Sequence, residues 1–210
     1  MINEREWMNN MENIFFSTNI IATIFYISVG LISMVMYNNS NTNYNDKTKK
    51  IRSLKSFMYL YKFLQISTLI VCISSIWSNN IYLYKIYENS DIFVYIGISI
   101  SGLGITLFSI ARFSLGKNYS PCYDSYLPKN INTKGIYSLV RHPIYTSNLL
   151  LMVGIFITSA SAIICFNTII LFCYYLASAN IEEKAIIKKF PKYKKYKNNT
   201  GMFIPSFIRI

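Results

Sequence analysis

A block of 36 residues without one charged side chain, from Ile144 to Ala179, constrains this chain more than any other feature. A single helix of that length would measure about 54 Å, whereas the hydrocarbon core of a bilayer is about 30 Å thick. The small polar run from Thr158 to Ser161 lies near the middle of the block. We therefore expect two membrane-spanning helices joined by a tight turn at this run, with a turn near Asn167 as the alternative.

Three further apolar runs are each about long enough to cross a bilayer: residues 14–37, 57–77 and 92–113. Only 14% of the residues are charged, against roughly a quarter in soluble domains. The chain is therefore predicted to be an all-α membrane protein, one integral-membrane domain over residues 1–210. It would have about five transmembrane helices, the last two a tight hairpin, with a cytoplasmic loop and a C-terminal helical tail.

Two details inside these runs predict local packing. Gly97, Gly102 and Gly104 would give the third helix a small-residue face for close contact with a neighbour. Lys62 lies about one turn inside the second run, and we expect its long side chain to reach back to the membrane surface.

The net charge of +12 is distributed unevenly along the chain. The segments 38–56 and 112–143 each carry five basic residues against one acid, and the tail from residue 181 carries eight against two. The intervening segment 78–91 has one basic residue against two acids. By the positive-inside rule the N-terminus is predicted outside and the C-terminus in the cytoplasm. The predicted orientation in the membrane thus explains where the basic residues lie, and nucleic-acid binding is not expected.

Metal binding is not expected either. The four cysteines include no Cys-x-x-Cys pair, and His142 is the single histidine. Zinc sites require closely spaced Cys and His ligands, so this composition predicts no metal site.

Arg141 and His142 directly precede Pro143, a residue that fits the first turn of a helix. The N-terminus of that helix would carry a partial positive charge suited to a carboxylate. The alternative is an interfacial arginine with a capping histidine.

Two adjacent acids, Glu182 and Glu183, follow the last apolar block. They could bind an ammonium group, or they could pair with Lys184 and the lysines beyond. The predicted hairpin brings these acids close to Arg141 and His142. An anion site beside two carboxylates suits a zwitterionic amino-acid group, such as that of S-adenosylmethionine.

The motifs resemble the isoprenylcysteine carboxyl methyltransferase and phospholipid methyltransferase superfamily of integral-membrane methyltransferases. The segment Gly135–Tyr145 matches its G-x-Y-x-x-V-R-H-P-x-Y signature. Four other elements follow its order and spacing: residues 112–120, the pair Glu182-Glu183, Phe190–Tyr196 and Ile204-Pro205. The resemblance implies a methyltransferase-like catalytic region over residues 112–205.

The resemblance also implies S-adenosylmethionine as cofactor and a lipophilic methyl acceptor that enters from the bilayer. By similarity, Arg112 and Glu183 would be catalytic. The cofactor-binding residues implied by the same match are Tyr137, Arg141, His142, Pro143, Tyr145 and Glu182. Two alternatives from other classes are an NADPH-dependent sterol or steroid reductase, which has a related C-terminal region, and a non-catalytic membrane protein of the same fold.

Three departures from the family pattern concern the acceptor and the tail. Ser147 replaces a glycine, Pro191 replaces the glycine of the F-G pair, and residues 176–180 lack an arginine typical of the prenylcysteine-type enzymes. If that arginine holds an acceptor carboxylate, this chain would not methylate prenylcysteine. Arg112 could substitute for it, or the acceptor could be a phospholipid amine or another apolar molecule.

Overall fold

The computed structural model describes residues 18–32, 50–53, 55–77, 85–87, 90–119 and 124–206. Most of these residues are helical, as the apolar runs predict, and the helical fold class is confirmed. We number the described helices α1 to α7: Thr18–Ile32, Lys55–Trp77, Asp91–Leu115, Ile136–Leu139, Pro143–Ser159, Ala162–Lys189 and Tyr193–Asn199.

One short antiparallel ribbon departs from the all-α expectation. Strand β1 (Lys50–Ser53) pairs with β2 (Asp124–Tyr126), with Lys50 opposite Tyr126. The strands belong to two polar loops that are far apart in sequence, so hydropathy alone could not predict their pairing. The ribbon places both loops at the end of the bundle where α3 ends and α5 begins, which we call the polar end.

The loop before α3 lies at the opposite end. The amide N of Ile86 donates a hydrogen bond to the carbonyl O of Ala160, at the turn between α5 and α6, over 2.8 Å. The described parts of the two basic loops thus lie at one end and that of the poorly charged loop at the other, as the alternation of charge predicts. The direction of the bundle in a membrane stays a prediction.

Two described helices are long and apolar enough to span a membrane: α3 with 25 residues and α6 with 28. The apolar parts of α1, α2 and α5 are shorter. The predicted count of five spans is therefore not established. Both predicted ends of the first span, residues 14 and 37, lie outside the described residues.

The break in the 36-residue block lies in the polar run and not at Asn167. Helix α5 ends at Ser159, Ala160 adopts the left-handed conformation with φ 54°, and α6 begins at Ala162. Asn167 lies inside α6. Its amide Nδ2 donates a hydrogen bond to Thr68 Oγ1 of α2 at 3.1 Å. A hydroxyl of the neighbouring helix thus satisfies a polar group inside an apolar helix.

Small residues bring α3 and α5 into close contact. A Cβ added to Gly97 would lie 2.5 Å from the carbonyl O of Gly154, and one added to Gly104 would lie 2.8 Å from that of Ser147. The prediction for Gly102 is wrong, because a Cβ there would meet nothing within 4 Å. Gly102 lies on another face of α3. The two glycines that contact α5, Gly97 and Gly104, are seven residues apart, which is about two helical turns.

The outer surface of the bundle is apolar. Leu103 and Phe113 of α3 and Phe166 of α6 are 63%, 77% and 63% exposed. A contiguous apolar exterior is unfavourable in water and suits contact with lipid chains.

Candidate functional site

A cavity of about 200 Å³ opens at the polar end of the bundle. Its inner walls come from α1, α2, α3 and α5 and include Val29, Ile105, Phe108 and Leu151. Gly104 also lines the cavity and lies 11 residues before the end of α3. At 1.5 Å per residue the cavity therefore reaches roughly 16 Å into the bundle.

The polar end of the cavity contains all six residues predicted to bind the cofactor. They reach it from α4, from the start of α5 and from the C-terminal turns of α6. Pro143 is the first residue of α5 and His142 its N-cap. The six are Tyr137, Arg141, His142, Pro143, Tyr145 and Glu182.

Glu182 offers a carboxylate to this cavity. The hydroxyl of Tyr145 donates a hydrogen bond to its Oε1 at 2.6 Å, and its side chain keeps 17% of its surface exposed. Nδ1 of His142 lies 3.9 Å from its other oxygen. The apolar stretch of α6 ends at Ala179, so the acids lie on the part of the helix beyond it. The arrangement presents a carboxylate to the cavity, and a carboxylate can attract a cationic group.

Glu183 has a different environment, although it is the next residue. Its side chain is fully buried and does not line the cavity. Its Oε1 accepts a hydrogen bond from Nε of Arg141 at 2.6 Å and lies 3.1 Å from Nε2 of His142, while Nζ of Lys197 lies 2.8 Å from its Oε2. We call these four side chains the ionic cluster.

The cluster keeps Glu183 ionised. Burial acts to raise the pKa of this carboxyl, but the contacts with His142, Lys197 and Arg141 outweigh burial and lower the pKa to about 2. The sequence left open an ion pair with Lys184 or with the lysines beyond it, and Glu183 pairs with one of the latter, Lys197.

Arg141 also contacts the segment that follows α7. Its Nη1 donates to the carbonyl O of Lys197 at 2.9 Å and to that of Thr200. The backbone continues the contact, because the amide of Arg141 donates to Gly201 O at 2.8 Å and that of His142 to Met202 O at 3.1 Å. Residues 193–203, which we call the C-terminal strap, are thereby attached to the start of α5.

The strap supplies part of the cavity wall. Tyr193 and Tyr196 of α7 line the cavity, and the Tyr196 hydroxyl donates to the carbonyl O of Tyr137. Burial is the main reason why the pKa of Tyr196 rises to about 12, and it also raises that of Tyr193 above its usual range. Both phenols therefore stay protonated and uncharged at neutral pH.

An aromatic stack fixes the orientation of Tyr145. Its ring lies parallel to those of His142 and Tyr175, with centroids 5.3 Å and 4.6 Å away. Nδ2 of Asn148, which also lines the cavity, donates to the Tyr175 hydroxyl at 3.0 Å. A ring held on both faces leaves its hydroxyl aimed at Glu182.

Arg112 lies outside the cavity lining. Its Nη1 donates to Gly116 O at 3.1 Å, and its guanidinium lies over the ring of Tyr119 at 4.0 Å from the centroid. Tyr119 does line the cavity. Neither of the two residues predicted to be catalytic, Arg112 and Glu183, thus reaches the cavity directly, and their catalytic roles stay predictions.

Asn148 and the cavity tyrosines of α7 were not predicted as site residues, and Lys197 was included only among the lysines beyond Lys184 that could pair with the acids. Lys197 is one of eight basic residues in the tail, and no pattern distinguishes it from the others. Tyr193 and Tyr196 did carry a signal, because they are spaced three residues apart in the element that resembles the family motif.

Together these features define a helical protein with membrane-length apolar helices and a polar cavity where those helices end. Residues 92–193 match the model of the phospholipid methyltransferase family, part of the isoprenylcysteine carboxyl methyltransferase-like superfamily of membrane methyltransferases. The match covers just under half of the chain and, with the two membrane-length helices, indicates a membrane protein related to these methyltransferases.

One curated relative is named for metal resistance. The cobalt-zinc-cadmium resistance protein CzcN of Cupriavidus metallidurans is 29% identical over 113 residues, which are 52% of this chain and 52% of that protein. The chain therefore spans about half the length of the curated relative it matches. Within the described residues, no group of three or more His, Cys, Asp or Glu side chains could hold a metal ion.

Proposed function

We propose that this protein transfers a methyl group from S-adenosylmethionine to a lipophilic acceptor at the cytoplasmic face of a membrane. The observation that carries the proposal is the Tyr145–Glu182 pair, located where a polar cavity end meets apolar walls. The match of residues 92–193 to a family of membrane methyltransferases supports the same reaction.

The polar end fits the amino-acid group of the cofactor. The exposed oxygen of Glu182 suits an ammonium group, and the N-terminus of α5 suits a carboxylate because of its partial positive charge. Tyrosine rings, including those of Tyr119 and Tyr126, supply flat apolar surface beside it. Glu183 is fully buried and does not line the cavity, so Glu182, which does line it, is the carboxylate proposed to contact the cofactor.

The inner part of the cavity fits an apolar acceptor. The charged residues among its lining are all at the polar end, and the inner lining is mostly aliphatic or aromatic, with Gln65, Ser147 and Asn148 as polar members. A depth of roughly 16 Å accommodates a hydrocarbon chain. We propose that the acceptor enters from the bilayer between helices, its tail along these walls.

S-adenosylmethionine supplies, when bound, a methyl group on a positively charged sulfur. The chain then needs to align two reactants and exclude water. Glu182 and Tyr145 would fix one end of the cofactor, while the strap covers the cavity through Tyr193 and Tyr196. Arg112 would act through Tyr119, and Glu183 through Arg141 and His142.

Binding of S-adenosylhomocysteine to the purified protein in detergent, measured by calorimetry, tests the proposal. Glu182→Gln should weaken binding by about 10- to 100-fold, the effect of losing one charge-assisted hydrogen bond. Lys184 is exposed and lies two residues after Glu182 on the same helix, so Lys184→Gln should leave binding unchanged. Transfer of labelled methyl groups into the lipid fraction then tests the acceptor class.

Other outcomes decide against the proposal. Binding of NADPH in place of S-adenosylhomocysteine would favour the reductase. Absence of binding to either compound by a folded sample would favour a non-catalytic protein. Equal affinities of Glu182→Gln and Lys184→Gln would remove Glu182 from the site.

A further inference from the structure

The C-terminal strap contributes one charged side chain to the ionic cluster, that of Lys197. Its ammonium lies 2.8 Å from Oε2 of the fully buried Glu183. Its carbonyl O accepts a hydrogen bond from Arg141 at 2.9 Å. Both the side chain and the backbone of this residue are therefore held by the interior of the site.

Charge balance explains why a second cation is needed. Glu183 is fully buried, and the adjacent Glu182 adds a second negative charge beside it. Arg141 and Lys197 contact opposite oxygens of the Glu183 carboxylate, and His142 contacts the same oxygen as Arg141. A buried carboxylate that lost a partner would be left partly uncompensated, which is costly.

Helix α7 depends on such an anchor. It has seven residues, too few for a helix to be stable on its own. Tyr193 lies four residues before Lys197 and Tyr196 one residue before it, and both line the cavity. The contact of Lys197 with Glu183 therefore helps to fix where these two rings lie, together with the backbone contacts of the strap.

We propose that Lys197 is a positioning residue: by pairing with Glu183 it holds α7, and hence Tyr193 and Tyr196, as the wall that closes over the bound cofactor. The inference rests on the proposed function, since it assigns the cavity to a cofactor. Lys197 acts through the tyrosines and does not itself line the cavity.

Three variants of α7 test the role. Lys197→Met removes the ammonium and keeps the length of the side chain, Lys197→Arg restores the charge, and Lys195→Met makes the same change at an exposed position of the same helix. The affinity for S-adenosylhomocysteine is measured by calorimetry. Hydrogen exchange of residues 193–203 is measured by mass spectrometry without any ligand.

Lys197→Met should weaken binding about tenfold, the effect of one charge-assisted contact, and should speed amide exchange in the strap. Lys197→Arg should recover most of the affinity, and Lys195→Met should behave as the wild type. If activity is measurable, Lys197→Met should raise KM for S-adenosylmethionine more than it lowers kcat.

Equal affinity and equal exchange in Lys197→Met and Lys195→Met would overturn the inference. Failure of Lys197→Arg to recover affinity would also count against it. If the wild type binds no S-adenosylhomocysteine, the proposed function fails, and exchange alone then decides whether Lys197 holds the strap. Should Lys197→Met not fold, Lys197→Gln, which also removes the positive charge, replaces it, and unchanged affinity and exchange in that variant would refute the role of Lys197.

Discussion

The close approach of α3 and α5 leads to a quantitative prediction for Gly154→Ala. The added Cβ would lie 2.5 Å from the carbonyl O of Gly97, whereas ordinary contacts begin at 3.4 Å. The helices would therefore have to separate by roughly 0.9 Å, enough to lose a quarter to a half of the attraction of each neighbouring contact. Overpacking of this kind costs about 1–3 kcal/mol.

The cost should appear in thermal unfolding of the protein in detergent, followed by tyrosine and tryptophan fluorescence at one fixed scan rate. For a chain of this size we expect Tm to fall by about 5 °C, since 1 kcal/mol corresponds to about 2–4 °C. The separation should also disturb the hydroxyl contacts between α1 and this interface, in which Tyr26 bonds to Thr158 at 2.6 Å and to Ser101 at 3.2 Å.

Gly102→Ala is the matched control, because Gly102 is also a helical glycine and a Cβ there meets nothing within 4 Å. Alanine is favoured over glycine in a helix by about 0.5–1 kcal/mol, so this variant should be as stable as the wild type or slightly more so. If Gly154→Ala were as stable as Gly102→Ala, the helices would not approach as closely as the structure shows.

Three further changes test other parts of the molecule. Arg141→Lys should lower Tm by about 5 °C and weaken S-adenosylhomocysteine binding, because an ammonium cannot replace the guanidinium contacts to Glu183 and two carbonyls; unchanged binding would contradict this. Lys62→Leu should leave methyl transfer unchanged, since the side chain is exposed and lines no part of the cavity, and a large loss of activity would show otherwise. The pKa of Glu183 is lower than its ordinary value, so its contribution to stability is present above about pH 4.5 and is lost as pH falls toward 2. Tm measured from pH 6 to pH 3 should fall less steeply for Glu183→Gln than for the wild type, and parallel curves would contradict the shift.

Hydropathy was sufficient to predict the long apolar helices and to show that the 36-residue apolar block must be broken. It could not settle whether the break lay at residues 158–161 or near Asn167, because both positions carry small polar residues. The choice depends on a partner that sequence does not reveal, the hydroxyl of Thr68 on another helix. The ribbon between β1 and β2 escaped prediction for the same reason, since pairing of distant loops is a tertiary effect.

In the candidate site, too, the sequence predicted the residues involved but not the contacts that each of them makes. The ordered motifs identified which residues meet, but two neighbouring glutamates point about 100° apart on a helix, so packing decides which of them faces the cavity. Sequence assigned Glu182 to the cofactor and Glu183 to catalysis. The geometry supports contact with a ligand for the first and contact with Arg141, His142 and Lys197 for the second.

The length of α6 explains how such a site can lie at a membrane surface. Its 28 residues extend about 42 Å, some 12 Å more than the hydrocarbon core of a bilayer. The excess corresponds to the last eight residues, 182–189, which begin with the two acids. Because the helix continues past them and ends with Lys188 and Lys189, the acids avoid the unfavourable C-terminal dipole and the lysines complement it. The length of the helix thus places Glu182 beyond its apolar stretch, where the proposed cofactor and the proposed lipophilic acceptor can reach the same cavity.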